Sequence, residues 1–477
     1  MPNAPVDHHT AEVARRVRES VGVSRGLLTG IVLAGSLSVL DSTIVVPLLK
    51  TIGDEFGGGS EVAWLVSAYL LSSTLTIPVW GRWHDLRGER APMWAALGLF
   101  TVGTALAWVA PGLAPLVGCR VIQGIGAGGL VPLGEAVIAS RCLPEERARL
   151  QAQYNVFYGV AAAGGPVIGG ALIHVSWRWA FLLILPFCGA AALAFRGQLC
   201  SGRSQPATTA ARSPLDYWGS ALVTVGLFAL LLGVERLSWP LFGAGVILAT
   251  LFIRRTRTHP HNLIPRSVIT NRVVLGCTLS ALVIGFAQYS YLTYLPDLAQ
   301  ELAPDMNSGL VAVPLTVLWL TMGSMSAVLA LRIGTRVVVL VALLGATAAG
   351  VVLLLWVSVP SLFAAATLVG VAASLGVLPA LLLAQLSAHP SDLGATTSLL
   401  VLMRNFGGAL GVSAILAVNE DWGLTPSIWV LVVVAAAGVL PASLIPNRKQ
   451  EGRLQRMRAA AAEAAPIIAG AGARGLG

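Results

Sequence analysis

The sequence predicts an all-α polytopic membrane protein with fourteen spans, and three observations predict it. Of the 477 residues, 56% are hydrophobic and only 11% charged, a more apolar and less charged balance than soluble domains show. Apolar runs of about 18 residues or more recur along the whole chain, the length a helix needs to cross the hydrocarbon core. The strand-period alternation that a membrane barrel requires is not found.

The elements follow in order. A polar segment, 1–26, carries Arg15, Arg16, Arg18 and Arg25. The first span, 27–47, is too long for a signal-peptide core and is followed by no small-residue cleavage site, so it reads as a permanent span. Further spans are predicted at 62–80, 92–110, 113–139, 152–174, 179–196, 217–234, 239–253, 273–300, 308–331, 336–356, 361–386, 395–418 and 426–445. Polar linkers at 197–216 and 254–272 bracket the seventh and eighth. The predicted organisation is a six-helix bundle over 27–196, linkers and two additional helices over 197–272, a second six-helix bundle over 273–446, and a tail over 447–477. The tail begins with Arg448, Lys449, Arg453, Arg456 and Arg458 and reads as solvated or headgroup-binding. Two six-span halves around a midplane cavity is a transporter plan, with alternating access by rocking of the halves.

Charge predicts orientation. With both termini in the cytoplasm, every Lys and Arg falls in a cytoplasmic segment except Lys50, Arg178 and Arg236 outside and Arg120 and Arg404 within spans. The reverse orientation would invert that bias. The same distribution accounts for the net charge of +9 without a nucleic-acid partner. Five scattered cysteines (Cys119, Cys142, Cys188, Cys200, Cys277) form neither a disulfide framework nor metal-ligand spacing, so no metal is expected. No Walker motif, paired-histidine zinc motif or nucleophile elbow occurs. Neither an enzyme nor direct ATP drive is expected, and no cofactor.

An ionisable group at membrane depth costs about 2.5–3.5 kcal/mol on insertion scales, so it asks for a function. Asp41, Arg120, Glu135 and Arg404 qualify, and Asp297, near the outer end of its span, is a weaker case. Asp41 sits among apolar neighbours and could load and release a proton as access switches, with the permanently charged Arg120 as its modulator. The competing reading is a buried ion pair that fixes helix packing. Glu135 lies fifteen residues beyond Arg120, about 22 Å along a helix, so the two cannot pair directly. It reads as a second proton carrier, a contact for a cationic substrate, or the partner of a loop arginine.

Small residues form a second group. "GVAAAGGPVIGG" (159–170) places Gly165, Pro166, Gly169 and Gly170 inside the fifth span, where small side chains let backbones approach closely and could seal one side of a cavity. Ordinary small-residue packing gives the same pattern. Trp64, Tyr69, Gln123, Tyr154, Asn155, Tyr158, Gln288, Tyr291, Tyr294, Arg404 and Asn405 are the candidate cavity residues, since apolar walls with a few polar anchors suit a ligand pocket; some of them could be interfacial-belt aromatics instead.

These stretches together resemble the major facilitator superfamily, and within it the fourteen-span drug:proton antiporters. "GRWHDLRGER" (81–90) is similar to the loop motif between spans 2 and 3, with Gly81, Asp85 and Gly88 in place. "RVIQGIGAGG" (120–129) resembles the span-4 motif at Arg120, Gln123 and Gly124. "GGPVIGG" (164–170) resembles the span-5 antiporter motif, and "LDSTIVVPLL" (40–49) the first-span signature with Asp41. "WRWAFLLILP" (177–186) matches except for the asparagine before the proline. "DYWG" (216–219) resembles the opening of the extra span pair and "RNFGGALG" (404–411) the span-13 motif.

The resemblance implies a major facilitator fold and a proton-driven exporter coupled at Asp41 and Arg120. The implied partners are protons, the lipid bilayer and a hydrophobic or cationic small molecule; a monomer in a bacterial plasma membrane is expected. The loop motif departs from the family at two positions, where Leu86 and Glu89 stand in place of arginines. The expectation is a gating pair of reversed sign, Glu89 with Arg141, although Arg87 or Arg90 could serve instead. The alternatives are a dedicated exporter of one lipid or natural product, suited to an Arg-rich chain with only two lysines, a non-transporting sensor, and a membrane enzyme.

Overall fold

The computed structural model describes residues 24–57, 60–142, 144–172, 175–199, 216–258, 262–303, 306 and 308–452, and within them every regular element is helical. The side chains of Asn155 and Pro166 lie outside those described, as do most of the 197–216 linker and the tail beyond residue 452.

The helices in chain order are α1 Arg25–Ile44, α2 Leu49–Phe56, α3 Trp64–Arg87, α4 Arg90–Trp108, α5 Leu113–Arg141, α6 Pro144–Leu172, α7 Arg178–Phe195, α8 Tyr217–Glu235, α9 Trp239–Thr258, α10 Arg266–Thr270, α11 Arg272–Leu302, α12 Val313–Ile333, α13 Thr335–Leu355, α14 Val359–Ser387, α15 Leu393–Trp422, α16 Leu424–Ala437 and α17 Val439–Ala442. Side-chain caps set several starts. Ser24 Oγ accepts from Leu27 N at 3.1 Å, Asn271 Oδ1 from Val273 N at 3.0 Å, and Asp216 Oδ1 from Gly219 N at 2.9 Å, satisfying first-turn amides that have no intrahelical acceptor.

The fourteen predicted spans lie on helices, although several, 27–47 and 426–445 among them, run past a helix end and residues 173 and 174 lie outside those described, and the helices are not equally apolar. Among the described residues eleven are long and apolar enough to cross a membrane, or twelve if the bent pair Gly309–Gly323 and Met325–Ile333 counts as one span. The bend of 60° falls at a Gly323–Ser324 pair, a usual site of kinks. The spans expected at 62–80 and 239–253 lie in helices that fall short. α3 carries Ser67, Ser72, Ser73, Thr74 and Thr76, and the apolar part of α9 ends at Ile253 before Arg254, Arg255 and Arg257.

A second difference concerns "GRWHDLRGER". It reads as a turn, but α3 runs on to Arg87, so Gly81 is an interior helical residue. Only Gly88 turns the chain, with φ +76° and its amide donating to His84 O at 2.8 Å; glycine takes that left-handed conformation without steric cost.

The chain divides into two compact units, one up to Leu215 and one from Asp216; the additional pair α8–α9 belongs to the second. In the first unit α5 is central, packed against α3, α4 and α1, while α1 also packs on α6 and α7. Its core includes Ile31, Ile44, Phe100, Trp177, Phe181 and Phe195. In the second unit α14 is central, packed against α11, α12 and α13, and α11 packs along α15. The pairing order thus repeats. In both units the first span of the bundle lies along the fifth, and the second and third lie against the fourth. α8 packs on α9 and on α15, and Asp216 ties its two helices by accepting from Arg255 Nη2 at 2.9 Å, which gives the "DYWG" opening a structural purpose.

Candidate functional site

The first unit holds a closed polar cluster inside an apolar helix bundle. Asp41 on α1, Arg120 and Gln123 on α5 are each wholly buried. Arg120 Nη1 donates to Asp41 Oδ2 at 2.5 Å and to Gln123 Oε1 at 2.6 Å, and its Nε donates to the Leu65 carbonyl at 2.9 Å. Gln123 Nε2 donates to Asp41 Oδ1 at 2.8 Å and to Thr104 Oγ1 at 2.8 Å. Tyr69 lies with its ring 4.1 Å from the guanidinium carbon and its hydroxyl donating to the Ser38 carbonyl at 2.6 Å. Both carboxylate oxygens are therefore held by donors from α5. The carboxylate is dry and set against a permanent cation, and removing either partner would leave the other buried and uncompensated.

Glycines let these helices close on the cluster. A Cβ at Gly103 would meet the Gln123 backbone at 2.5 Å, and one at Gly124 would collide with Ser72 and Tyr69. Gly165 and Gly169 of the fifth-span motif lie against the end of α1, on Thr43, Ile44 and Pro47. Gly170 differs from its expected place in the seal, because open space surrounds it; on a helix it points about 100° away from Gly169.

Glu135 is buried on α5, apart from the Asp41 cluster, as its spacing requires. Beside it, Gly134 leaves room for Ile31 of α1. Tyr154 on α6 is buried with its hydroxyl against Gly35 of α1, and its ring centre is 6.4 Å from that of the half-buried Tyr158.

The pair expected at the α3–α4 turn is present. Arg141, the last residue of α5, donates to both carboxylate oxygens of Glu89, through Nε to Oε2 at 3.1 Å and through Nη2 to Oε1. Arg141 Nη2 also reaches the Gln198 carbonyl at 3.2 Å, and Gln198 Oε1 accepts from Ser24 Oγ at 2.6 Å. The starts of α1 and α4 and the ends of α5 and α7 meet there. Asp85 lies 3.4 Å from His84 Nδ1, and Arg90 is exposed. We expect Glu89→Lys to cut transport by about tenfold and Glu89→Lys with Arg141→Glu to recover most of it, with a coupling of about 1–3 kcal/mol in a double-mutant cycle of thermal stability; a cycle with zero coupling would sink the latch.

The second unit sorts the remaining candidates. Tyr291 is fully buried in the core, its hydroxyl 3.4 Å from the Ala346 carbonyl, and Tyr294 is buried with its hydroxyl donating to Asn419 Oδ1 at 2.8 Å. Both join helices rather than line a space. Gln288 is buried beside Arg404, with 3.4 Å from Arg404 Nη2 to Gln288 Oε1, and Asn405 is half-buried. Trp64 is 51% exposed, the belt-like placement that the sequence left open.

Sequence reasoning missed two parts. Thr104, the fourth member of the Asp41 cluster, is one of many hydroxyls in apolar helices and carries no signal of its own. Glu55 accepts from Trp177 Nε1 at 2.6 Å and from Arg178 Nη1 at 2.7 Å, clasping the end of α2 to the start of α7. The only signal was a short acidic stretch, Asp54 and Glu55, set against the arginine of "WRW" in another loop.

Comparison with known proteins shows the family and the fold. The profile described as Major Facilitator Superfamily matches residues 31–412 and again 278–472. The chain is 29% identical over 410 residues to the multidrug transporter protein MdtP of Bacillus subtilis (strain 168), covering 82% of this chain and 74% of that protein. It is 32% identical over 214 residues to the efflux pump FUS6 of Gibberella moniliformis (strain M3125 / FGSC 7600), covering 45% of this chain and only 38% of that protein. In fold it is similar to the crystal structure of the human organic anion transporter MFSD10, with a TM-score of 0.65 at 20% identity, covering 88% of this chain and 99% of that one.

Proposed function

The chain belongs to the major facilitator superfamily of multi-pass membrane transporters and is not an enzyme, and from that premise we propose that it is a proton-driven exporter of amphipathic or cationic small molecules. It works as a single chain by alternating access, in a bacterial plasma membrane with both termini cytoplasmic. The observation that carries the reading is the wholly buried Asp41–Arg120–Gln123 cluster between α1 and α5. When Asp41 is ionised, Arg120 and Gln123 bind it and α1 is held to α5. When Asp41 takes a proton, the ion pair is lost, and Arg120 keeps Gln123 Oε1 and the Leu65 carbonyl as acceptors. The bundle then has two arrangements whose balance a proton shifts, as an antiporter needs. The names of the multidrug transporter and efflux-pump relatives support export as the direction.

The test is transport by the purified full chain in proteoliposomes with an imposed pH gradient. Ethidium, added as an amphipathic cation, is expected to dissipate the gradient in step with its own movement. A panel of amphipathic compounds that moves no protons overturns the coupling, and a panel from which one compound class alone is moved favours the dedicated exporter.

A further inference from the structure

Two arginines lie at membrane depth, and their surroundings differ in kind. Arg120 has a carboxylate on it. Arg404 on α15 has no carboxylate partner among the described residues. Its Nη2 reaches Gln288 Oε1 at 3.4 Å, long for such a bond, and its Nε is buried without an acceptor. Two aromatic faces hold the guanidinium instead, Trp319 of α12 at 5.1 Å and Tyr289 of α11 at 5.9 Å. The site is built rather than incidental. Gly285 lets α11 meet α15 at the Arg404 backbone itself, and Gly408 makes room for the Tyr289 ring. Those contacts fix the root of the arginine and the position of one wall.

Among the described residues no carboxylate forms an ion pair with Arg404, and the helices around it are poor in acids. Helices α12, α13, α14 and α16 contain no Asp or Glu. On α11, Asp297 lies nine residues beyond Gln288; Asp392, just before α15, lies twelve residues before Arg404, and Glu420 on α15 lies sixteen after it. These separations are about 13 to 24 Å along the helices.

We infer that Arg404, with Gln288 and the rings of Trp319 and Tyr289, forms a subsite for the carboxylate of an aromatic amphipathic substrate. This rests on the exporter reading and narrows its substrate class. The guanidinium is charged at every relevant pH and presents a planar fork of donors that fits a carboxylate in two parallel bonds. Aromatic faces attract the cation without occupying those edge donors, and they offer an apolar wall to the body of the ligand. A substrate cation placed there would be repelled, so a positively charged group on the same molecule must lie elsewhere.

Binding to the full chain in lipid nanodiscs tests the assignment with three probes of similar shape: 2-naphthoate, the neutral 2-naphthamide and the cation N-methylquinolinium. The wild type is expected to bind naphthoate at least about tenfold more tightly than either competitor. Arg404→Gln is expected to bring naphthoate and naphthamide within about twofold of each other, and Arg404→Lys to keep part of the preference. Absence of naphthoate binding, equal binding of the three probes, or an undiminished preference in Arg404→Gln overturns the inference. If Arg404→Gln does not give a monodisperse protein, the wild-type ranking decides together with Gln288→Leu, in which the naphthoate preference is expected to fall and an unchanged one overturns the assignment. Proton-driven ethidium flux without a naphthoate preference rejects this subsite and leaves the exporter reading. A naphthoate preference without proton-driven flux of any probe rejects the exporter reading and leaves the anion subsite.

Discussion

Asp41→Asn is expected to bring substrate-driven proton movement down to the background of empty liposomes, a loss of about a hundredfold or more. The substitution keeps the shape of the side chain and one acceptor oxygen, so α1 can still dock on α5. What it removes is the charge that a proton can cancel. Binding of a transported compound, which should vary with pH in the wild type, is expected to become flat with pH in the variant. Stability should fall as well, because Arg120 then sits fully buried with neutral acceptors alone, the Gln123 and Leu65 carbonyl oxygens and the single oxygen of the new amide, and no negative charge against it. Breaking a buried pair from one side costs about 3–5 kcal/mol. Asp41→Asn combined with Arg120→Gln should recover much of the thermal stability in detergent and none of the coupling. That split separates a proton carrier from a packing pair: wild-type proton movement in Asp41→Asn would leave Asp41 with packing alone.

Gly285→Val is expected to give almost no monodisperse protein on gel filtration. The new Cβ would land on the Arg404 carbonyl oxygen, which is backbone and cannot swing away as a side chain can. The α11–α15 seam is closed by three such contacts, Gly285 on Arg404, Gly407 on Leu282 and Gly411 on Phe286 and Ser290, so prising one apart loosens the others. Overpacking of this kind costs about 1–3 kcal/mol and more where backbone meets backbone, and marginally stable proteins lose their folded population over such amounts. Gly98→Ala on α4 is the control, since nothing lies within 4 Å of a Cβ there, and it should purify like the wild type. A Gly285→Val protein that melts with the wild type would show that the seam can open without loss.

The Glu89–Arg141 pair shows how far a motif reaches. Its existence was legible because one residue, Glu89, broke the charge pattern of a familiar loop, and an opposite charge was available at the end of α5. The hub was not legible. Gln198 joins the pair through its backbone carbonyl, a group that every residue offers, and Ser24 joins through its hydroxyl on the Gln198 side-chain oxygen, two common polar side chains 174 residues apart that carry no mark of the contact. Tyr291 and Tyr294 are the converse case. A tyrosine at membrane depth looks the same in sequence whether it faces a ligand or a neighbouring helix, and only the position of the Ala346 carbonyl and Asn419 tells which.

The sequence by itself determined the membrane class, the helical elements and the identity of the buried charges. Hydrophobicity accumulates locally along the chain, and a charge inside an apolar run is visible without knowing its neighbours. Only the tertiary structure decided which charges are neutralised. Asp41 and Arg120 are 79 residues apart and meet because α1 and α5 pack together. Arg404, equally deep in its helix, packs among Gln288, Trp319 and Tyr289 and meets no carboxylate there. The difference between a closed ion pair and an arginine with donors to offer lies in which helices are neighbours, and helix–helix contact is set by small residues and shape at seams far from either charge.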